Sequence, residues 1–247
     1  MKERIGCLAW VVGVAQFFVV HGIVESAWAR PAYSWARNNI SDLGNVHCGL
    51  RTWPESRYIC SPEHGLMNGS FIALGVLLVV GFVLTGGADG FGGVGGIGGG
   101  VPWLGGRVAA LARMLLISGG VGFVLIGLAP TDVHKGLHVV GAALIMGTGN
   151  AGLVLAGFGL ADRVPRPLRR APGLLGVVAL LAFGLFLSGH YLGLGMGGME
   201  RVAAYPLLFW VAALGLWGVV LRAGRTRAAV AEVRAGGDRV GPGSAGG

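Results

Sequence analysis

Six histidines, His21, His47, His64, His134, His138 and His190, carry most of the acid–base and metal-binding potential of this chain. Several sit four residues from another polar group, the spacing that puts two side chains on one helix face. His21 pairs this way with Glu25, His64 with Asn68, and His134 with His138. His138, with Asp42 or Glu200 as its carboxylate partner, is the candidate for general acid–base work. Asn68, Arg201, Ser41, Asp132, His64, His134 and His190 are candidates for holding a ligand. A metal site would need His64, His134, His138 and His190, with Asp132 or Asp42, to converge within about 2.0–2.2 Å of one ion. The run Asp132-x-His134-x3-His138 is not an HExxH motif, so neither a metal nor any other cofactor is assigned. Interfacial histidines more often hydrogen-bond a loop or cap a helix, and for His47 the loop role dominates. Thr131 or Asp132 is expected to cap the helix that carries His138.

The elements that must position these groups follow from composition. Of 247 residues, 53% are hydrophobic and 12% charged, and the mean hydropathy is +0.70. Soluble domains carry roughly 25% charged residues, so this chain has about half the usual supply for a water-facing surface. Length decides helix over strand: six apolar stretches, about Ile5–Ser26, Gly65–Gly86, Arg107–Leu128, Leu137–Ala161, Gly173–His190 and Val202–Leu221, each reach across a bilayer core. The expected fold is an all-α membrane protein, a six-transmembrane-helix bundle over residues 1–221 with one long outer loop at 27–64.

Charge sets the orientation. Thirteen of the nineteen basic residues fall before the first span, around the third, between the fourth and fifth, and after the sixth. By the positive-inside rule both termini are cytoplasmic. The net charge of +8 then reflects topology, and no nucleic-acid partner is expected; the bilayer is. The same orientation sends Cys48 and Cys60 outside, where a disulfide persists. Cys7 reads as a small buried hydrophobe. All six histidines also fall on or near the outer side. An alternative for the N-terminus is a signal peptide cut after Ala27-Trp28-Ala29; against it stand the length of the span and its Gln16, His21 and Glu25. Residues 86–106 read as a Gly-rich cytoplasmic linker, and residues 222–247 as a disordered basic tail near anionic headgroups.

Other polar residues have structural readings. Asn150, inside a Gly/Thr/Ala run, and Gln16 are expected to bond across helices. Arg113 is expected to snorkel to the cytoplasmic interface. Trp28, Trp35, Trp103, Trp210 and Trp217 include those near span ends that form an interfacial belt. Walker A and GxSxG motifs are absent, which argues against an ATP-driven motor and a hydrolase elbow.

Certain runs together suggest a family. They are Asn39-Ile-Ser-Asp-Leu-Gly44, Gly65-Leu-Met-Asn68, Gly127-Leu-Ala-Pro130, His138 followed by Ala142 and Ala143, and Gly198-Met-Glu-Arg201 with Trp210. Their order resembles the bacterial and archaeal membrane proteins grouped as domain of unknown function 998, over about Ile5 to Leu221. The resemblance implies a six-helix bundle in a prokaryotic plasma membrane and no established activity. Ser41, Asp42, Gly44, Asn68, Pro130, His138, Glu200 and Arg201 fall on its motifs; His64, His134 and His190 do not. The glycine linker, the tail and the Cys48/Cys60 insertion depart from it. Three functions remain open: a protein binding a lipid or small amphiphile or supporting an envelope complex, an outer-leaflet enzyme using His138, and a small transporter.

Overall fold

Each apolar stretch forms a helix, and among the described residues six spans are long and apolar enough to cross a membrane. The computed structural model describes residues 1–28, 30–52, 56–86, 106–162 and 164–237, with side chains to 220. Helices α1 (Lys2–Ala27), α2 (His64–Leu84) and α3 (Arg107–Leu128) are the first three spans. The fourth is composite: α4 (Lys135–Ala143) and α5 (Asn150–Gly159) are joined by a π-helical turn over Leu144–Gly149. Next come α6 (Arg166–Leu187) and α7 (Gly195–Gly237), the latter crossing with Gly195–Val220.

Two boundaries differ from expectation for physical reasons. Helix α6 starts at Arg166, not Gly173, because Pro165 precedes it and Pro167 sits in its first turn, where a missing N–H costs nothing. Helix α7 starts at Gly195, seven residues before the apolar run, because its glycine-rich first turn packs against a loop rather than lipid. At its far end the α7 backbone stays helical to Gly237. Alanine and arginine, both good helix formers, predominate between 222 and 237, within the stretch 222–247 expected to be a disordered tail, the rest of which lies outside the described residues. The expected glycine linker falls largely at 87–105, and Trp103 with it, outside the described residues.

The spans pack in a closed ring, each against its neighbours in the chain and α7 back against α1. Phe17, Phe71, Leu74, Phe123, Leu153 and Leu208 fill the middle. Small residues allow the close approach. A Cβ on Gly122 would sit 2.6 Å from the Gly141 carbonyl oxygen, so α3 and α4 touch through backbone. Polar residues inside the bundle bond to neighbouring helices. Gln16 donates to the Ser70 carbonyl at 3.1 Å and accepts from its hydroxyl at 3.0 Å. Asn150 donates to the Ala203 carbonyl at 2.7 Å, as expected of interhelical amides. Arg113 does not simply reach for the interface; it donates to the Phe82 and Gly86 carbonyls and caps the end of α2. Trp28 and Trp210 are buried, not belt residues, and the Trp210 indole donates to the Leu168 carbonyl of α6.

Between α1 and α2 the chain forms a lid over one end of the ring. It contains a 3-10 turn at Ser41–Gly44 and a hairpin of β1 (Gly49–Arg51) and β2 (Arg57–Ile59), paired antiparallel with Leu50 opposite Tyr58. The next rung outward is Cys48 with Cys60, whose Cα atoms lie 4.2 Å apart and which form the expected disulfide.

Candidate functional site

The lid is locked to the bundle by buried charges. Asp42, at the start of the 3-10 turn, accepts from Arg57 of β2 through both oxygens, at 2.8 and 3.0 Å. It also accepts the Asn39 N–H at 3.0 Å, which tightens the turn. From below, Glu200 of α7 accepts the Ile40 N–H. Its neighbour Arg201 donates to the carbonyls of Trp35, Asn38 and Gly197 at 3.1, 3.1 and 2.8 Å. The other end of the same guanidinium donates to the Tyr33 hydroxyl at 2.6 Å and stacks 4.6 Å above Trp35. Tyr33 in turn donates to the Asn39 carbonyl. Burial pushes the Tyr33 phenol far above its ordinary range, so it stays neutral and relays the bond. Gly197 makes this docking possible, because a Cβ there would lie 2.6 Å from the Trp35 carbonyl oxygen.

A second clasp joins the lid to the α3–α4 corner. Asp132 accepts the backbone N–H groups of His47 and Val46 at 2.7 and 3.2 Å, and its Oδ2 lies 2.9 Å from the His47 ring. Burial raises the pKa of this carboxyl, but those hydrogen bonds outweigh it and hold it below the ordinary value of 3.8. Helix α4 therefore lacks the cap expected of Thr131 or Asp132. His134 occupies the cap position without a side-chain bond, because Asp132 is turned to the lid. Thr131 Oγ1 is buried with no partner.

The expected pairs fare unequally. His21 Nδ1 lies 3.6 Å from Glu25, and its Nε2 3.4 Å from the Tyr205 hydroxyl. Asn68 donates to the Gly44 carbonyl at 2.9 Å, and His64 Nδ1 lies 3.1 Å from the Ser61 carbonyl oxygen. His134 and His190 are exposed, the latter beside Ser188. The four-histidine convergence does not occur: among the described residues no group of three or more His, Cys, Asp or Glu side chains could hold a metal ion.

Beneath the lid lies a cavity of about 30 Å³, room for about two waters, since one needs roughly 10–15 Å³. The polar residues in its lining are Ser41 of the 3-10 turn, His138 of α4, and Glu200 and Tyr205 of α7. The rest is apolar: Phe17, Phe71 and Phe123 from three helices, with Ile145 and Met146 from the π-helical turn. That turn thus contributes to the cavity wall, and π-bulges are frequent at functional sites. His138 Nδ1 lies 2.9 Å from the Ala129 carbonyl oxygen. A carbonyl only accepts, so Nδ1 carries the proton and Nε2 of the neutral ring is an acceptor.

Sequence reasoning thus found Ser41, His138 and Glu200, which line one cavity. It also found Asp42 and Arg201, which instead hold the lid. Arg57, Tyr33 and Tyr205 were missed. Tyr205 lies one turn beyond Arg201 on the same helix, a signal that the i,i+4 rule would have found.

The runs that suggested a family can now be set against a direct comparison. A family profile described as "Protein of unknown function (DUF998)" matches residues 11–217, from the first helix to the last. The chain belongs to this family. No curated protein and no solved structure matches it. Every residue on which the resemblance rested, from Asn39 to Trp210, lies inside the DUF998 match. The lid, the charged locks and the cavity all fall within it too.

Proposed function

We propose that this DUF998 member is a plasma-membrane protein with both termini in the cytoplasm that binds a lipid or small amphiphile at its outward-facing end. One observation carries the reading: the cavity under the lid is lined mainly by apolar side chains, Phe17, Phe71 and Phe123 among them, with Ser41, His138, Glu200 and Tyr205 also in its wall. Ligand sites of this kind join an apolar body to a few placed polar groups. The orientation is supported by charge. Lys2, Arg4, Arg107, Arg166, Arg169 and Arg170 sit at the helix ends opposite the lid, as the positive-inside rule requires of a cytoplasmic face. Native mass spectrometry of the protein purified in several detergents is expected to show a retained amphiphile. Bare polypeptide mass in every detergent, with a melting curve unmoved by added lipid extract, would sink the reading.

A second reading is an outer-leaflet enzyme, favoured by the fact that His138 and Glu200 line the same cavity. Asp42 drops out of its proposed machinery because Arg57 occupies both carboxylate oxygens. Turnover of an added lipid, lost in a folded His138→Ala protein, would bring this reading forward. A transporter is supported least. Below the lid, Gln16 and Thr148 bond to Ser70 and Ser118 and the Asn150 amide N–H donates to Ala203, which leaves the buried Asn150 Oδ1 as a single polar atom, too little to line a path.

A further inference from the structure

The cavity under the lid has room for about two waters, yet the wall it presents is almost wholly apolar. Beyond its three phenylalanines it is lined by Ile40, Ile126, Ala142, Ala204 and Leu208. Polar residues of the lining have bonds elsewhere. His138 Nδ1 faces the Ala129 carbonyl, Glu200 accepts the Ile40 N–H, and the Tyr205 hydroxyl lies 3.4 Å from His21 Nε2. Water in such a space would lack the polar partners it needs, and apolar cavities stay dry and take apolar guests. Depth decides which guest can arrive. Ala142 lies seven residues beyond Lys135, about 10 Å below the start of α4. Leu208 lies thirteen residues beyond Gly195, about 20 Å below the start of α7. Both depths fall in the half of the bilayer nearer the lid, where the surrounding solvent is alkyl chain. The ring is also loosest there. Helix α6 meets the fourth span along α5 and the π-helical turn, and α7 meets it at that turn; neither packs comparably on α4. Residues of α4 and α7, Ala142 and Ala204 among them, nonetheless line the one cavity.

We infer that the cavity holds the methyl end of an alkyl chain, which enters from the bilayer between α4 and α7. The inference rests on the ligand-binding reading above and says which end of the amphiphile the cavity takes. A methyl or ethyl end matches a space of about 30 Å³, so only the last carbons of the chain fit. There they supply the dispersion contacts that the wall of a void lacks. A headgroup would be stripped of water against an apolar wall, which is costly.

The test places the full chain in phosphatidylcholine vesicles containing a photoactivatable phosphatidylcholine, with crosslinks mapped by mass spectrometry. One such lipid bears a diazirine at the end of an acyl chain, a second bears it on the headgroup. Leu181 and Leu187, exposed on α6, report contact with bulk chains. Phe17, Phe71 and Leu208 line the cavity and are at most 1% exposed. The chain-end lipid is expected to label both sets, and the headgroup lipid none of the buried three. Ala204→Leu, which fills the cavity from α7, is expected to lose the label on the buried residues and keep that on Leu181 and Leu187. If this variant does not fold, as judged by circular dichroism, Ala142→Leu fills the cavity from α4 in its place; if neither folds, the unaltered protein decides. Label on the exposed leucines alone, with an amphiphile still retained in native mass spectrometry, would overturn the chain-end assignment and leave amphiphile binding standing. Label on the buried residues from the headgroup lipid would do the same. No buried label and no retained amphiphile would overturn both.

Discussion

Asp42 illustrates how a side chain chosen for its chemistry turns out to be structural. A carboxylate beside a cavity is a plausible base, yet this one is buried and paired in a fork by Arg57. Breaking a buried pair by removing one partner leaves an uncompensated charge and costs about 3–5 kcal/mol. Arg57→Ala is therefore expected to lower the melting temperature in detergent sharply, whereas replacing exposed Arg37 should leave it nearly unchanged. Asp132 makes a second prediction, with a defined sign. Its carboxyl is held below the ordinary 3.8 by the His47 and Val46 N–H groups. A group with a depressed folded-state pKa stabilises fully above its unfolded value, and that stabilisation is lost as pH falls through the folded value. Acidification below 3.8 should loosen the lid at the α3–α4 corner. Asp132→Asn should be less stable near neutrality and should lose part of this acid sensitivity, measured as melting temperature against pH.

At the scale of elements, the lid and the composite fourth span matter most. Among its described residues the lid has two three-residue strands and one 3-10 turn, too little to hold its shape alone. The Cys48–Cys60 disulfide closes the hairpin with twelve residues of separation. By chain entropy such a closure contributes about 3 kcal/mol. Reduction, or Cys48→Ser with Cys60→Ser, is expected to lower the melting temperature and expose the Arg57–Asp42 pair. Limited proteolysis between residues 48 and 60 would register the change; equal resistance before and after reduction would argue that the arginine locks suffice. The π-helical turn of the fourth span supplies Ile145 and Met146 to the cavity wall.

For the whole molecule, the question is which end faces out. A membrane-impermeant maleimide should label His190→Cys in intact cells, and Arg166→Cys only after permeabilisation, in a Cys7→Ser background. The reverse pattern would invert the proposed orientation and place the cavity toward the cytoplasm. His190 follows α6 at the lid end and Arg166 begins it at the other, so one helix supplies both reporters and either orientation gives a clear answer. The ring of spans, closed by α7 against α1, makes this end-to-end polarity a property of the bundle rather than of one hairpin.

How much of this was legible beforehand divides along a physical line. Six spans, the Cys48–Cys60 pairing, the interhelical amides and the family all follow from local composition, spacing and run order. Apolar length alone suffices to call a helix in lipid, where no water competes for the backbone. Residue types also flagged Ser41, His138, Glu200 and Arg201 as worth attention. Their division into cavity and lock was not legible, because it depends on which partner each polar group meets across a long sequence gap. Arg57 meets Asp42 only after the hairpin folds back, and Arg201 meets Trp35 and Asn38 only after the first and last helices close the ring. The four histidines of the candidate metal set likewise form no metal-holding group among the described residues, since each lies where its own stretch of chain places it. Sequence determined the spans and the inventory of polar groups; tertiary structure decided which of them bind the chain to itself and which are left facing a space.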